Sequence, residues 1–285
     1  MTRSILLAAL ITVSLSIFAQ EAGLRIHQQV KKNPIIFGHR GDYSLDRTEN
    51  SLSQFEYLLA SGTQDVVGIE IDIRISASGT LFLMHDADLQ RTTNGSGEII
   101  KTTDIELKKL RLKNAGGEIT DEPIPTFADA LSYAKAKPII LMLDLKGDIL
   151  EQVIKEVHQH QMENQCILLT FKPEVTIRAL KLSESLLISA LIKSEADLLP
   201  FSQLRDQFDR MAAYISPEIE PTFRDQLIQS GFLLLTDVLE TKNQPFEPHH
   251  ADYYRSVIQK TKLNFVVTDF PVNLSKIVTL QKFDQ

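Results

Sequence analysis

Apolar residues in this chain fall in short unbroken runs rather than alternating with polar ones. Runs at 34–38, 66–73, 139–145, 166–170, 186–192, 211–215, 232–236 and 264–268 each predict a strand. Continuous apolarity of this kind is expected of parallel strands covered on both faces. Stretches with helical spacing lie between several of them, at 51–60, 127–136, 150–160, 173–183 and 222–230. Pro173 suits a first helical turn, and Gly231 suits the stop after Ser230. A strand–helix unit repeated eight times predicts a (β/α)8 TIM barrel, an α/β fold forming one domain over 33–285.

One stretch departs from the repeat. Between the second and third strands lies an insertion, about 76–125. It opens with a hairpin turn at Ser78-Gly79 and a strand at 80–84. A polar loop at 91–97 follows, then a short amphipathic helix at 104–111. The insertion ends at Pro123-Ile124-Pro125, with Thr126 set to cap the next helix. Long inserts in compact domains are usually functional or disordered. This one carries His85 near its start, and a lid or side wall is expected.

The N-terminus reads differently from the rest. Arg3, an apolar stretch at 5–18 and small Ala19 predict a secretory signal peptide over 1–20. The chain is then exported, periplasmic or secreted. An uncleaved anchor is the alternative. The apolar stretch is short of the ~20 residues a membrane span needs, so no stable span after cleavage is expected.

Composition adds limits. With 43% hydrophobic and 24% charged residues the chain has an ordinary globular balance. A net charge of −7 argues against nucleic acid or an anionic membrane surface as a general partner. It leaves room for an anionic substrate, because a bound cation and local Arg or Lys can reverse the field in one cleft. Cys166 is the single cysteine, so there is no internal disulfide. Its apolar neighbours predict a buried strand residue rather than a nucleophile.

The chemistry-bearing residues sit at the ends of these runs, where barrel enzymes keep their active sites. Glu70 and Asp72 are two apart on a strand and share a face, with Ile on the other. Two acids so close repel unless a proton or cation lies between them. Oxygen donors without Cys or His suit Ca2+ or Mg2+ better than zinc. A solvated pair or simple salt-bridge partners is the competing reading. Asp144-x-Lys146 repeats the geometry at the next strand end, where Asp144 can complete a metal site and Lys146 can meet a phosphate oxygen. Taken alone, an ion pair there is the simpler reading. In His39-Arg40-Gly41, the guanidinium can hold a phosphate by paired hydrogen bonds and the glycine allows a tight turn. His39 and His85 are candidate proton carriers near neutral pH. A lone histidine at a strand end is more often structural; two flanking an acidic pair point to catalysis. Glu49-Asn50 precede a helix and are expected to orient the mouth rather than touch substrate. His27 lies in a polar leader, His158 and His160 on a helix face, and His249 and His250 in a loop. No P-loop, Gly-x-Ser-x-Gly elbow or paired-Cys motif is present.

Taken in order, His39-Arg40-Gly41, Glu49-Asn50, Glu70-x-Asp72, His85-Asp86, Leu89-x-Arg91-Thr92-Thr93-Asn94-Gly95, Ile124-Pro125-Thr126 and Thr268-Asp269-x-Pro271 resemble the glycerophosphodiester phosphodiesterase family. This family falls within the phosphatidylinositol phospholipase C-like phosphodiesterase superfamily. The resemblance implies a metal-dependent barrel hydrolase that releases an alcohol and sn-glycerol 3-phosphate from a small-molecule glycerophosphodiester. It implies His39 and His85 as the acid–base pair, and Glu70, Asp72 and Asp144 as ligands of a divalent cation, Ca2+ or Mg2+. Arg40 and Lys146 fall on its phosphate-binding positions. Three departures stand out: Asp144 where the family usually has Glu, Thr48 where it often has Pro, and Leu235-Thr236-Asp237 where it often has an aromatic. Two alternatives remain: a sphingolipid or lysolipid phosphodiesterase or lyase of the same superfamily, and an inactive phosphodiester-binding barrel.

Overall fold

The computed structural model describes residues 30, 34–63, 67–135, 137–240 and 246–280. The leader at 1–20 and His27 lie outside the described residues.

Among the described residues nine strands form one sheet: β1 (Ile35–His39), β2 (Val67–Ile75), β3 (Leu81–Leu83), β4 (Ile139–Leu145), β5 (Cys166–Thr170), β6 (Leu187–Leu191), β7 (Met211–Tyr214), β8 (Leu233–Asp237) and β9 (Phe265–Thr268). All except β3 pair in parallel, and β1 pairs with both β9 and β2, closing the barrel. The predicted strands match these eight to within a residue or two at each end.

Closure sorts each strand's residues by parity. Ile35 and Phe37 of β1, Ile140 and Met142 of β4, and Phe265 and Val267 of β9 point inward and form the barrel's inner core. The odd residues of β2, Ile69, Ile71 and Ile73, point outward and meet Phe55, Leu58, Phe127 and Leu131 from the helices. Each such buried side chain contributes about 1.5–3 kcal/mol. Gly68 faces inward beside Phe37. A Cβ there would lie 2.7 Å from both the Ile36 carbonyl oxygen and the Phe37 ring. Glycine at this position lets Phe37 fill the barrel beneath the acids.

The helices Leu52–Ala60, Phe127–Ala134, Leu150–His160, Pro173–Leu182, Pro221–Gln229, Ala251–Thr261 and Pro271–Leu280 surround the barrel. The repeat lapses between β6 and β7, where two 3-10 segments, Glu195–Phe201 and Arg205–Arg210, replace an α-helix. Pro200 lies inside the first and removes a helical N–H donor. No helix among the described residues is long and apolar enough to cross a membrane.

The insertion is a wall with its own small core of Phe82, Met84, Leu89, Ile99, Leu107 and Leu112. β3 runs antiparallel to β2 and extends its upper half. Thr126 caps the following helix through Asp129, as its position predicts. One expectation is corrected. The helix expected at 104–111 covers only Asp104–Leu107, because Leu112 is drawn into backbone hydrogen bonds with Thr120 and Glu122 (2.9 and 2.8 Å). Within the polar loop at 91–97, Thr92 and Thr93 are buried, and the Thr93 hydroxyl donates to the Leu89 carbonyl (2.6 Å). The insertion is tied to the loop after β1 by Ala115 N–H to Arg47 O (2.9 Å) and Gly116 N–H to Leu45 O (2.8 Å). Thr48 adds a bond from its hydroxyl to Glu122 (2.8 Å), which proline could not make.

Candidate active site

Every sequence-predicted site residue lies at the carboxyl end of the barrel. His39 ends β1 and stands opposite Glu70 in register; Asp72 stands opposite Asp144. Inward parity brings the three carboxylates together, with one oxygen from each within 4.8 Å of the others. Glu70 and Asp72 are buried and Asp144 is half-buried. Burial, with Asp72 and Asp144 alongside, pushes the Glu70 carboxyl well above the usual carboxylate range. Burial acts the same way on Asp72, but Arg40 and Lys146 outweigh it and hold that carboxyl below its ordinary value.

Arg40 and Lys146 serve as counter-charges here. Arg40 Nε is 3.1 Å from Asp72 Oδ2, and Lys146 Nζ is 2.6 Å from Asp144 Oδ2 and 3.0 Å from Asp72 Oδ1. The strand-end ion pair is therefore present, inside a larger cluster. Arg40 adopts φ 59°, a left-handed backbone that non-glycine residues rarely take. That turn aims its N–H at Glu70 Oε2 (3.1 Å). Asn50, also left-handed at φ 52°, donates from Nδ2 to Asp72 Oδ2 (2.8 Å) and accepts the Asp72 N–H (3.0 Å). Glu49 pairs with Arg40 (3.3 Å) and Arg91 (2.6 Å).

Both histidines are oriented by a carboxylate. His39 Nδ1 is 2.7 Å from Asp269 Oδ1, and His85 Nδ1 is 2.7 Å from Asp86 Oδ1. Each pairing fixes Nδ1 as the N–H and leaves Nε2 for chemistry. Asp86 is gripped by Arg91 (2.5 and 3.1 Å), whose guanidinium holds its carboxyl well below the usual range. Asp269 is tied to Glu240 both ways: Glu240 N–H to Asp269 Oδ2, and Asp269 N–H to Glu240 Oε2, each 2.9 Å. Glu240 also accepts from the hydroxyls of Thr268 (2.8 Å) and Tyr254, and burial pushes its carboxyl up to about 7.

Several functional residues were missed from the sequence. Asp269 and Asp86 belong to the motifs quoted above; Asp86 holds its sequence neighbour His85, and closure of the barrel brings Asp269 to His39. Arg74 donates to the backbone carbonyls of His85 (2.7 Å) and Lys146 (2.9 Å), joining two loops. Tyr214, last in β7, hydrogen-bonds Asp237 at the end of β8 and lies 6.0 Å, ring to ring, from Phe171. This pair supplies an aromatic wall from a neighbouring strand where Leu235-Thr236-Asp237 has none. The inward parity of Tyr214 after Ala212 was its only sequence signal. Cys166 is buried in β5, and burial raises its thiol's pKa. His158 pairs with Glu163 and His250 caps a helix; neither joins a metal-binding group among the described residues.

The donor set fits a hard divalent cation: three clustered carboxylates, all oxygen donors, two of them buried and the third half-buried.

Comparison with known proteins agrees with this geometry. The Glycerophosphoryl diester phosphodiesterase family profile matches residues 39–215. Rat "Glycerophosphodiester phosphodiesterase 1" is 32% identical over 163 residues, covering 54% of this chain and 47% of that protein. A Caldanaerobacter subterraneus glycerophosphodiester phosphodiesterase is 30% identical over 144 residues, 48% of this chain and 58% of that one. The chain thus spans about half the length of the curated relatives it matches. A glycerophosphoryl diester phosphodiesterase structure from Parabacteroides distasonis superposes with TM-score 0.77 at 24% identity, covering 90% of this chain and 92% of that one. An Oleispira antarctica phosphodiesterase in complex with the product sn-glycerol-3-phosphate gives 0.68 at 21%, covering 88% and 99%. These two likenesses carry the fold, and the profile match spans both histidines and all three acids: the chain belongs to the glycerophosphoryl diester phosphodiesterase family.

Proposed function

We propose that this protein hydrolyses glycerophosphodiesters to an alcohol and sn-glycerol 3-phosphate, using a divalent cation. The observation that carries the reading is the cluster of Glu70, Asp72 and Asp144 beside two imidazoles, each held by its own carboxylate. The relatives' names and the product-bound Oleispira structure support the same substrate class. When held by the three carboxylates, Ca2+ or Mg2+ supplies Lewis acidity toward a phosphoryl oxygen.

The chain's own groups do the rest. Arg40 and Lys146 bring a guanidinium and an ammonium to the phosphoryl oxygens, stabilising the charge that develops there. A cavity adjoins His39 and Arg40 but not His85, so the departing alcohol meets His39. His85 Nε2 accepts the proton of the attacking hydroxyl. The new P–O bond forms as the bond to the alcohol breaks, and His39 gives that oxygen a proton. Attack by the neighbouring glycerol hydroxyl gives a cyclic phosphate, which water opens with the two imidazoles exchanging roles. Asp269 and Asp86 stabilise whichever imidazole is charged. The aromatic wall of Phe171 and Tyr214 seats the glycerol.

The leader at 1–20 extends the proposal to export, into a periplasm or outside the cell. The catalytic reading is tested with Asp72→Asn. It should lose nearly all turnover of a glycerophosphodiester, and a chelator should do the same to the unaltered protein until Ca2+ or Mg2+ is restored. Chelator-resistant turnover would refute it.

A further inference from the structure

The mouth of the barrel opens sideways into a cavity of about 340 Å3. His39 and Arg40 form its inner end. Tyr43 and Arg47 from the loop after β1 face Lys113 and Asn114 from the insertion, and Phe246 closes one side. Glu70, Asp72, Asp144, Lys146 and His85 do not line it. A phosphodiester held at Arg40 therefore sends its alcohol substituent past His39 into this space. The hydrogen bonds from Ala115 and Gly116 to the β1 loop hold the two walls together, so the cavity's width is set by the fold.

Its charges do not cancel. Arg47 is paired with Asp42 (2.8 Å), Arg40 and Arg91 with Glu49, and Asp269 with His39. Among the described residues Lys113 Nζ donates only to the Gln90 carbonyl (2.8 Å) and no carboxylate is within ion-pair distance. An ammonium has three donors, so two remain for a ligand. Asn114 has its side chain engaged with Glu118 (2.8 and 3.2 Å). The rings of Tyr43 and Phe246 lie against each other, centroids 4.2 Å apart. They make a wall, not the open cage that encloses a quaternary ammonium.

Resting on the phosphodiesterase reading, we infer that this cavity is the head-group subsite and takes a hydroxyl-rich, non-cationic head group, a polyol. Its hydroxyls accept from Lys113, and its C–H faces pack on the aromatic wall. A choline or ethanolamine cation meets an uncompensated positive charge instead.

The test is a competition assay with equimolar glycerophosphoinositol and glycerophosphocholine, run on the unaltered protein, Lys113→Ala and Lys113→Glu. The ratio of the two kcat/KM values is read, which cancels losses common to both substrates. The unaltered protein should favour the inositol ester, and Lys113→Glu should lower the ratio about tenfold, with Lys113→Ala between them. A preference for choline in the unaltered protein, or one ratio shared by all three proteins, overturns the inference while leaving the reaction intact. Failure to cleave either ester overturns the reaction and the subsite with it.

Discussion

At the scale of single residues, the site is an arrangement of charges that need one another. His39 and His85 each have one ring nitrogen fixed by a carboxylate at 2.7 Å. Replacing either with Ala should reduce kcat by about 10²–10⁴-fold, the usual share of a positioned acid or base. Tm should hardly change in His85→Ala, whose ring is partly exposed, and should fall in His39→Ala, which takes a partner from the buried Asp269 carboxylate; near-full turnover in either variant would remove that histidine from the mechanism. Asp144 makes a sharper case, because its carboxylate is shorter than the family's usual Glu. Asp144→Asn should weaken divalent-cation binding, measured by calorimetry, and Asp144→Glu should retain it; equal affinity in all three forms would exclude Asp144 as a ligand. The placement of these residues at one end of the barrel was legible because strand parity and order along the chain are local properties. The partner of His39 was not. Asp269 reaches His39 across 230 positions of sequence, and nothing short of barrel closure reveals that contact. Tyr214 was hidden for the same reason.

At the scale of elements, β2 is decisive. Its Val-Gly-Ile-Glu-Ile-Asp-Ile-Arg-Ile run sets Ile against the helices and places Gly68, Glu70, Asp72 and Arg74 on one inward line. Gly68 opens space for Phe37, the acids form the cluster, and Arg74 ties the loops above. Gly68→Ala forces a Cβ to 2.7 Å from backbone and ring. Overpacking of this kind destabilises by about 1–3 kcal/mol, so a clear fall in Tm is expected; an unchanged Tm would mean that Phe37 moves freely. Strands were easier to read than the insertion, because eight apolar runs repeat one pattern. Inside the insertion, the short helix at Asp104–Leu107 stops where Leu112 finds a hairpin partner, a tertiary choice that local periodicity does not encode. The missing helix between β6 and β7 was likewise invisible to a reading built on repetition.

At the scale of the whole molecule, a closed barrel concentrates buried acids at one end, and its stability should show it. Glu240 is fully buried and its carboxyl is raised from 4.5 to about 7. For an acid, a raised folded-state value means that the folded chain holds the proton more tightly. Its stabilising share is complete below about pH 4.5 and is lost as pH rises to about 7. Urea midpoints followed from pH 4.5 to pH 8 should fall with this group's ionisation, and Glu240→Gln should flatten that part of the curve. Parallel curves would place the effect elsewhere. The barrel also brings together the carboxylate cluster, the two imidazoles and the side cavity, and the proposed reaction draws on all three. The most direct measurement is release of sn-glycerol 3-phosphate from a glycerophosphodiester, quantified with its partner alcohol in Ca2+ or Mg2+ and again in chelator. The account predicts equal amounts of the two products with metal and almost none in chelator. A lasting cyclic phosphate, release of the phosphate on the other alcohol, or turnover indifferent to chelator would contradict it.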